Sequence, residues 1–281
     1  MATCYRHPDR ETNVSCSSCG RPICPSCMTP TPVGMRCPEC AGEKTKVRTA
    51  ATVRARAGTD SVVVTIAIIA VNVVAFLASG QLSFSGGGAG TRVYVDGLLF
   101  GPSVVAGEDW RLLTYGFLHA GLIHIALNMF LLWILGQMLE PAIGHVRFAV
   151  VYFVALFGGA FGALVFSADV PTVGASGAIF GLMGAVAVEL NHRGRSIMEA
   201  GIGGLIVINL VFSFVGSNIS VGGHIGGLIF GALAMFAFHQ AERHRVPEWA
   251  GYALNLVLGA GAIAGAIWAA NAQLFGGSLN L

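Results

Sequence analysis

The chain has 281 residues, of which 54% are hydrophobic and only 11% charged. A soluble globular domain carries about 25% charged residues, so this chain lacks the charge to cover a water-facing surface, and an ordinary cytosolic enzyme is excluded. Gly at 39 of 281 is roughly twice average usage without a Gly-X-Y period, and the apolar content excludes disorder. A polytopic membrane protein is expected.

The first forty residues differ in kind from the rest. All seven cysteines lie there, and with His7 they form four pairs at one spacing: Cys4-x2-His7, Cys16-x2-Cys19, Cys24-x2-Cys27 and Cys37-x2-Cys40. This start is polar, so no cleavable signal peptide is expected. In the cytosol thiols stay reduced, and paired cysteines read as metal ligands rather than disulfides. Eight ligands suit two tetrahedral Zn²⁺ ions, and a module of this size needs metal in place of a core. The order resembles a B-box or RING-like cross-brace. That resemblance implies that Cys4, His7, Cys24 and Cys27 hold one ion and Cys16, Cys19, Cys37 and Cys40 the other; spacing alone leaves sequential pairing open. The zinc-binding domain is bounded at 1–42. Residues 43–60 read as a basic juxtamembrane linker along an anionic inner leaflet. A basic flank before a first span is commoner than a nucleic-acid site, so no nucleic acid is expected as a partner.

From residue 61 the chain carries apolar runs near the roughly 20 residues that a bilayer requires. They lie at Ser61–Ser79, His119–Leu139, Phe148–Ser167, Gly174–Leu190, Ile197–Phe214, Gly222–Phe238 and Ala250–Ala270. Spanning segments in lipid must be helical here, because an open backbone goes unsatisfied. With the N-terminus cytoplasmic, fourteen of the 16 Lys and Arg fall on the inner side and only Arg92 and Arg111 outside, as the positive-inside rule requires. Seven spans then put the C-terminus outside. The long first outer loop, Gly80–Tyr115, is expected to have its own structure. Two Lys against 14 Arg, with abundant Ala and Gly, suggests a GC-rich bacterial genome.

Polar residues within spans are functional candidates, and here they share one depth. The second, fourth and sixth spans run from outside to inside. Near their outer ends stand His119, His124 and Asn128; Ser176 in Gly174-Ala175-Ser176-Gly177; and His224 in Gly222-Gly223-His224-Ile225-Gly226-Gly227. Ser176 alone would read as helix-packing glue, and His124 with Asn128 as an interhelical pair. Together they form a catalytic set. A serine hydroxyl needs a base, usually His; the glycines, including Gly227-x3-Gly231, permit close helix approach. His124 and Asn128, one turn apart, and the Ser176 N–H at a helix start suit an oxyanion hole. No carboxylate lies at this depth, which points to a Ser-His dyad and away from a triad or a proton-coupled transporter.

The residues Trp110-Arg111, His119-x4-His124-x3-Asn128, Glu140, Gly174-Ala175-Ser176-Gly177 and His224-Ile225-Gly226-Gly227-x3-Gly231 resemble those of the rhomboid intramembrane serine proteases, over about residues 61–241. The resemblance implies an all-α six-helix bundle, with a seventh helix and outer tail at 249–281. It implies Ser176 as nucleophile, His224 as base, and His124, Asn128 and the Ser176 N–H as oxyanion donors. Trp110 and Arg111 would belong to the structured outer loop and Glu140 to a supporting network. Catalysis would need no cofactor. Substrates would be transmembrane proteins whose helices unwind readily near the outer face. One departure is Phe180, where the family often has a Tyr stacked on the catalytic His. A non-catalytic adaptor that binds clients and recruits partners through its zinc finger is the rival. For the finger itself, a cytosolic partner or self-association is expected.

Overall fold

A computed structural model describes residues 2–31, 34–42, 61–85, 90–198, 200–215 and 219–275. The expected basic linker at 43–60 and the last six residues of the outer tail lie outside the described residues. The chain divides into two compact units, Met1–Gly58 and Thr59–Leu281.

The first unit has little regular structure. Strands β1 (Ala2–Thr3) and β2 (Glu11–Thr12) pair antiparallel, as do β3 (Thr29–Thr31) and β4 (Gly34–Arg36). One short helix follows, α1 (Pro38–Gly42). Its interior is six buried cysteines around Ile23, whose carbonyl accepts the Thr12 hydroxyl at 2.8 Å. A core this small is well below what a self-sufficient domain needs.

The second unit is an all-helical membrane bundle. Its long helices are α2 (Val63–Ser79), α6 (Leu122–Ile143), α7 (His145–Ser167), α8 (Ser176–His192), α9 (Ile202–Val215), α10 (Val221–Arg243) and α11 (Glu248–Phe275). Between α2 and α6 stand the short helices α3 (Arg92–Gly97), α4 (Gly101–Val105) and α5 (Arg111–Thr114). Each of the seven expected apolar runs falls on one long helix. Among the described residues α6, α7, α10 and α11 are long and apolar enough to cross a membrane, and α2 and α9 are shorter apolar helices. Helix α6 continues past the expected end at Leu139, through Pro141, to Ile143. Gly144 then reverses the chain in one residue at φ +87°, a conformation favoured by glycine.

α8 is the bundle's buried axis: twelve of its 17 residues are buried, so protein rather than lipid satisfies it. It packs on α7 and α10 through glycines. A Cβ on Gly227 would overlap the Gly177 carbonyl oxygen, one on Gly231 that of Gly181, and one on Gly226 that of Gly158. Three helices therefore meet backbone to backbone. Where the bundle faces outward it is apolar, with Val74 and Leu77 on α2, Phe130 on α6, Phe212 on α9 and Leu256 on α11 all exposed.

Buried charges are placed at helix ends. Glu140, fully buried, accepts from the Val64 and Thr65 amides at 2.8 Å each and from the Thr65 hydroxyl at 2.6 Å. It thus caps the start of α2 from another helix, where early amides have no intrahelical partner, and it also bonds His145 at 2.6 Å. In the loop between α2 and α6, Arg111 is 5% exposed and donates to the Val95 and Leu98 carbonyls at 2.8 Å, closing the end of α3, while pairing with Glu108. Trp110 is exposed, and its indole donates to the Asp96 carbonyl at 3.2 Å. The described part of this loop is structured, as expected.

Candidate active site and metal clusters

α6, α8 and α10 all begin at the same end of the bundle, and α9 ends there. Their terminal residues meet. Ser176 opens α8, so its N–H lacks an intrahelical acceptor. His224 lies in the first turn of α10, whose N-cap Ser220 accepts the Gly223 amide at 3.1 Å. The His224 Nε2 lies 2.7 Å from Ser176 Oγ, within reach for proton transfer. The contact exists because the flanking glycines let α8 and α10 touch. Phe180, one turn after Ser176, stacks on the His224 ring with centroids 4.1 Å apart and planes 14° off parallel.

His124 approaches from α6. Its Nδ1 accepts the Ala120 amide at 3.3 Å, which leaves the ring proton on Nε2. A Cβ on Gly174, where φ is +127°, would stand 2.8 Å from His124 Nε2 and 3.7 Å from Ser176 Oγ. The glycine thus leaves one small space between a serine hydroxyl and an imidazole N–H donor. Gly174 is held there by its own amide, donated to the Tyr115 carbonyl at 2.9 Å. His119 is fully buried, edge-on to His124 at 5.0 Å. Asn128 is buried and uses one amide proton on the His124 carbonyl at 2.9 Å, which leaves the other proton to donate. Among the described residues no hydrogen bond joins Asn128 to Ser176.

One neighbour is missing from the sequence-based set. Ser213, 2% exposed on α9, places its Oγ 2.6 Å from His224 Nδ1. The depth argument applied to the second, fourth and sixth expected spans applies equally to the C-terminal end of the fifth. Ser213 is the polar residue there, four after Asn209.

In the first unit the ligand atoms gather into two groups, Cys4, His7, Cys24, Cys27 and Cys16, Cys19, Cys37, Cys40, each set within 4.8 Å of one another. This is the cross-braced grouping, not the sequential one. The spacings fit a tetrahedral ion. Zn–S bonds of about 2.3 Å give edges of about 3.8 Å, and Cys19 and Cys37 sulfurs stand 3.8 Å apart, with His7 Nδ1 3.4 Å from both Cys24 and Cys27. All seven thiols are free. The Cys37 amide, 3.3 Å from Cys16 Sγ, pulls that thiol down to about 6, which favours the thiolate that metals require.

A third group, His192, His239 and Glu242, lies at the bundle's other end. There the two imidazoles stack at 3.8 Å, 17° from parallel, so their in-plane lone pairs run side by side instead of converging. Glu242 pairs with Arg147, and Glu189, beside His239 at 2.9 Å, pairs with Arg193. This is an ion-pair network.

Residues 106–241 match the family described as Rhomboid domain. The chain is 42% identical over 160 residues to the rhomboid protease GluP of Bacillus subtilis (strain 168), covering 56% of this chain and 31% of that one. It is 31% identical over 171 residues to rhomboid-like protease 1 of Toxoplasma gondii, 58% of each chain. A second Bacillus subtilis relative, YdcA, is 36% identical over 146 residues, 50% of this chain and 73% of that protein. The chain thus spans under two thirds of the length of GluP and of the Toxoplasma protease.

Proposed function

The chain belongs to the rhomboid family, and from that premise we propose that it is an intramembrane serine endopeptidase working through a Ser176–His224 dyad. The observation that carries the reading is the 2.7 Å approach of His224 Nε2 to Ser176 Oγ across the seam between α8 and α10.

Ser176 Oγ attacks the scissile carbonyl carbon while His224 Nε2 takes its proton. The oxyanion forms beside the Ser176 N–H and the His124 Nε2–H, with the free amide proton of Asn128 as a further donor. Preorganised donors of this kind contribute about 3 kcal/mol each when aimed at developing charge. The imidazolium then returns its proton to the leaving amine, and water hydrolyses the acyl-enzyme. Phe180 keeps the ring of His224 flat against one face throughout. The clustering of Arg147, Arg193, Arg243 and Arg245 at the opposite end of the helices supports seven spans, with the N-terminus in the cytosol and the site toward the outer face. Water enters from that face. Substrates are transmembrane proteins with segments that unwind readily near it, because a helical peptide bond is shielded from attack. The first unit holds two structural Zn²⁺ ions and docks a cytosolic protein or a second copy of itself.

Ser176→Ala tests the reading. Cleavage of a transmembrane substrate and labelling by a fluorophosphonate probe should both vanish while membrane insertion is unchanged. Unchanged cleavage would overturn the nucleophile, and absence of cleavage and labelling in the parent protein would leave a client-binding adaptor.

A further inference from the structure

Proton counting around His224 identifies what directs its base. Ser213 Oγ has two partners: the Asn209 carbonyl at 2.7 Å and His224 Nδ1 at 2.6 Å. A carbonyl oxygen accepts only, and a hydroxyl has one proton. Both contacts are hydrogen bonds in one arrangement alone. The Ser213 hydroxyl donates to the Asn209 carbonyl, the i−4 back-bond open to a serine in a helix, and Ser213 Oγ accepts from His224 Nδ1–H. The reverse, with Ser213 donating to a bare Nδ1, would abandon the carbonyl and put the ring proton on Nε2, where it would point at Ser176 and block the base.

We infer that Ser213 is a positioning residue that holds His224 in the Nδ1-protonated tautomer and aims its Nε2 lone pair at Ser176. The inference rests on the protease reading for its consequence in catalysis, but not for its geometry. Among the described residues no carboxylate bonds His224, and Ser213 stands in that place as a neutral hydroxyl oriented by a main-chain carbonyl. When Ser176 Oγ bonds to the substrate carbon, its proton moves to His224 Nε2. The resulting imidazolium keeps Nδ1–H on Ser213 Oγ, Ser213 neither gains nor loses a proton, and the Nε2 proton later leaves with the amine.

The packing agrees with that role. Ile202 and Ser213 are the two buried residues among the described side chains of α9, while Val207, Ile208, Val211, Phe212 and Phe214 are exposed. At its outer end, α9 therefore seats against the bundle through the residue that touches His224.

The test is carried out on the full-length chain labelled with ¹⁵N-histidine in bicelles. His224 is assigned by its disappearance in His224→Gln. The ring should show a protonated Nδ1 and a bare Nε2 in the parent and in Ser213→Thr, and lose that signature in Ser213→Val, which matches Thr in shape without the hydroxyl. In parallel, Ser213→Val and Ser213→Ala should lower kcat for a transmembrane substrate about 10- to 100-fold, as expected for one hydrogen bond to a charged group, with KM within about twofold, and Ser213→Thr should restore it. Nε2-protonated His224 in the parent, or an unchanged kcat in the folded Val variant, overturns the inference. A parent that cleaves nothing yet shows the Nδ1-protonated ring overturns the protease reading and leaves the positioning intact.

Discussion

Phe180 covers one face of the His224 ring at 4.1 Å, and a stack of this kind is worth about 0.5–1.5 kcal/mol beyond area burial. The contact constrains tilt, while the hydrogen bond at Nδ1 constrains rotation in the ring plane. Removing the ring should loosen only the first. Phe180→Leu is therefore expected to lower kcat about 2- to 10-fold with little change in insertion, read from initial cleavage rates. Phe180→Tyr keeps the stack and should stay within about twofold of the parent.

At the scale of elements, the seam between α8 and α10 decides whether the site exists. A Cβ on Gly227 would overlap the Gly177 carbonyl oxygen, whereas one on Gly204, on α9, meets nothing within 4 Å. Gly227→Ala must push the helices apart, and overpacking of this kind costs about 1–3 kcal/mol or more. It should lower the thermal transition and abolish activity, with Gly204→Ala as the neutral control; both are read by thermal unfolding in detergent. The apolar runs marked the seven long helices among the described residues, because a helix inside such a bundle is apolar on nearly every side, whether it meets lipid or protein. Their ends were less legible. Pro141 reads as a stop yet sits in the last turn of α6, and His145 starts α7 after one glycine. Ser176 and His224 stood out because glycines surround both. Ser213 did not, because a lone serine between Phe212 and Phe214 reads as apolar packing until its partner on α10 is known. The short helices α3 to α5 are held by Arg111 and by the Leu99–Thr172 bridge, contacts distant in sequence that no local pattern reveals.

The whole molecule joins two kinds of stability. The first unit has almost no apolar core and two four-ligand clusters, so metal should hold it together, while the bundle is held by helix packing. Metal analysis of the purified chain should find about two Zn²⁺, falling to about one in Cys16→Ser/Cys37→Ser. Chelation should unfold the first unit and leave the bundle's helical circular dichroism unchanged. Loss of the bundle signal on chelation would show that the units share one transition. Acid should release the ions too, since bound thiolates must reprotonate. The Glu140 cap bears on how such a chain is made. The amides that begin α2 wait for an acceptor 76 residues further on. At about 5–20 residues per second of synthesis, the first helix is exposed for roughly 4–15 s before its clasp emerges. Its insertion has to precede its fastening, so α2 is held only once α6, the next long helix of the bundle, has been made.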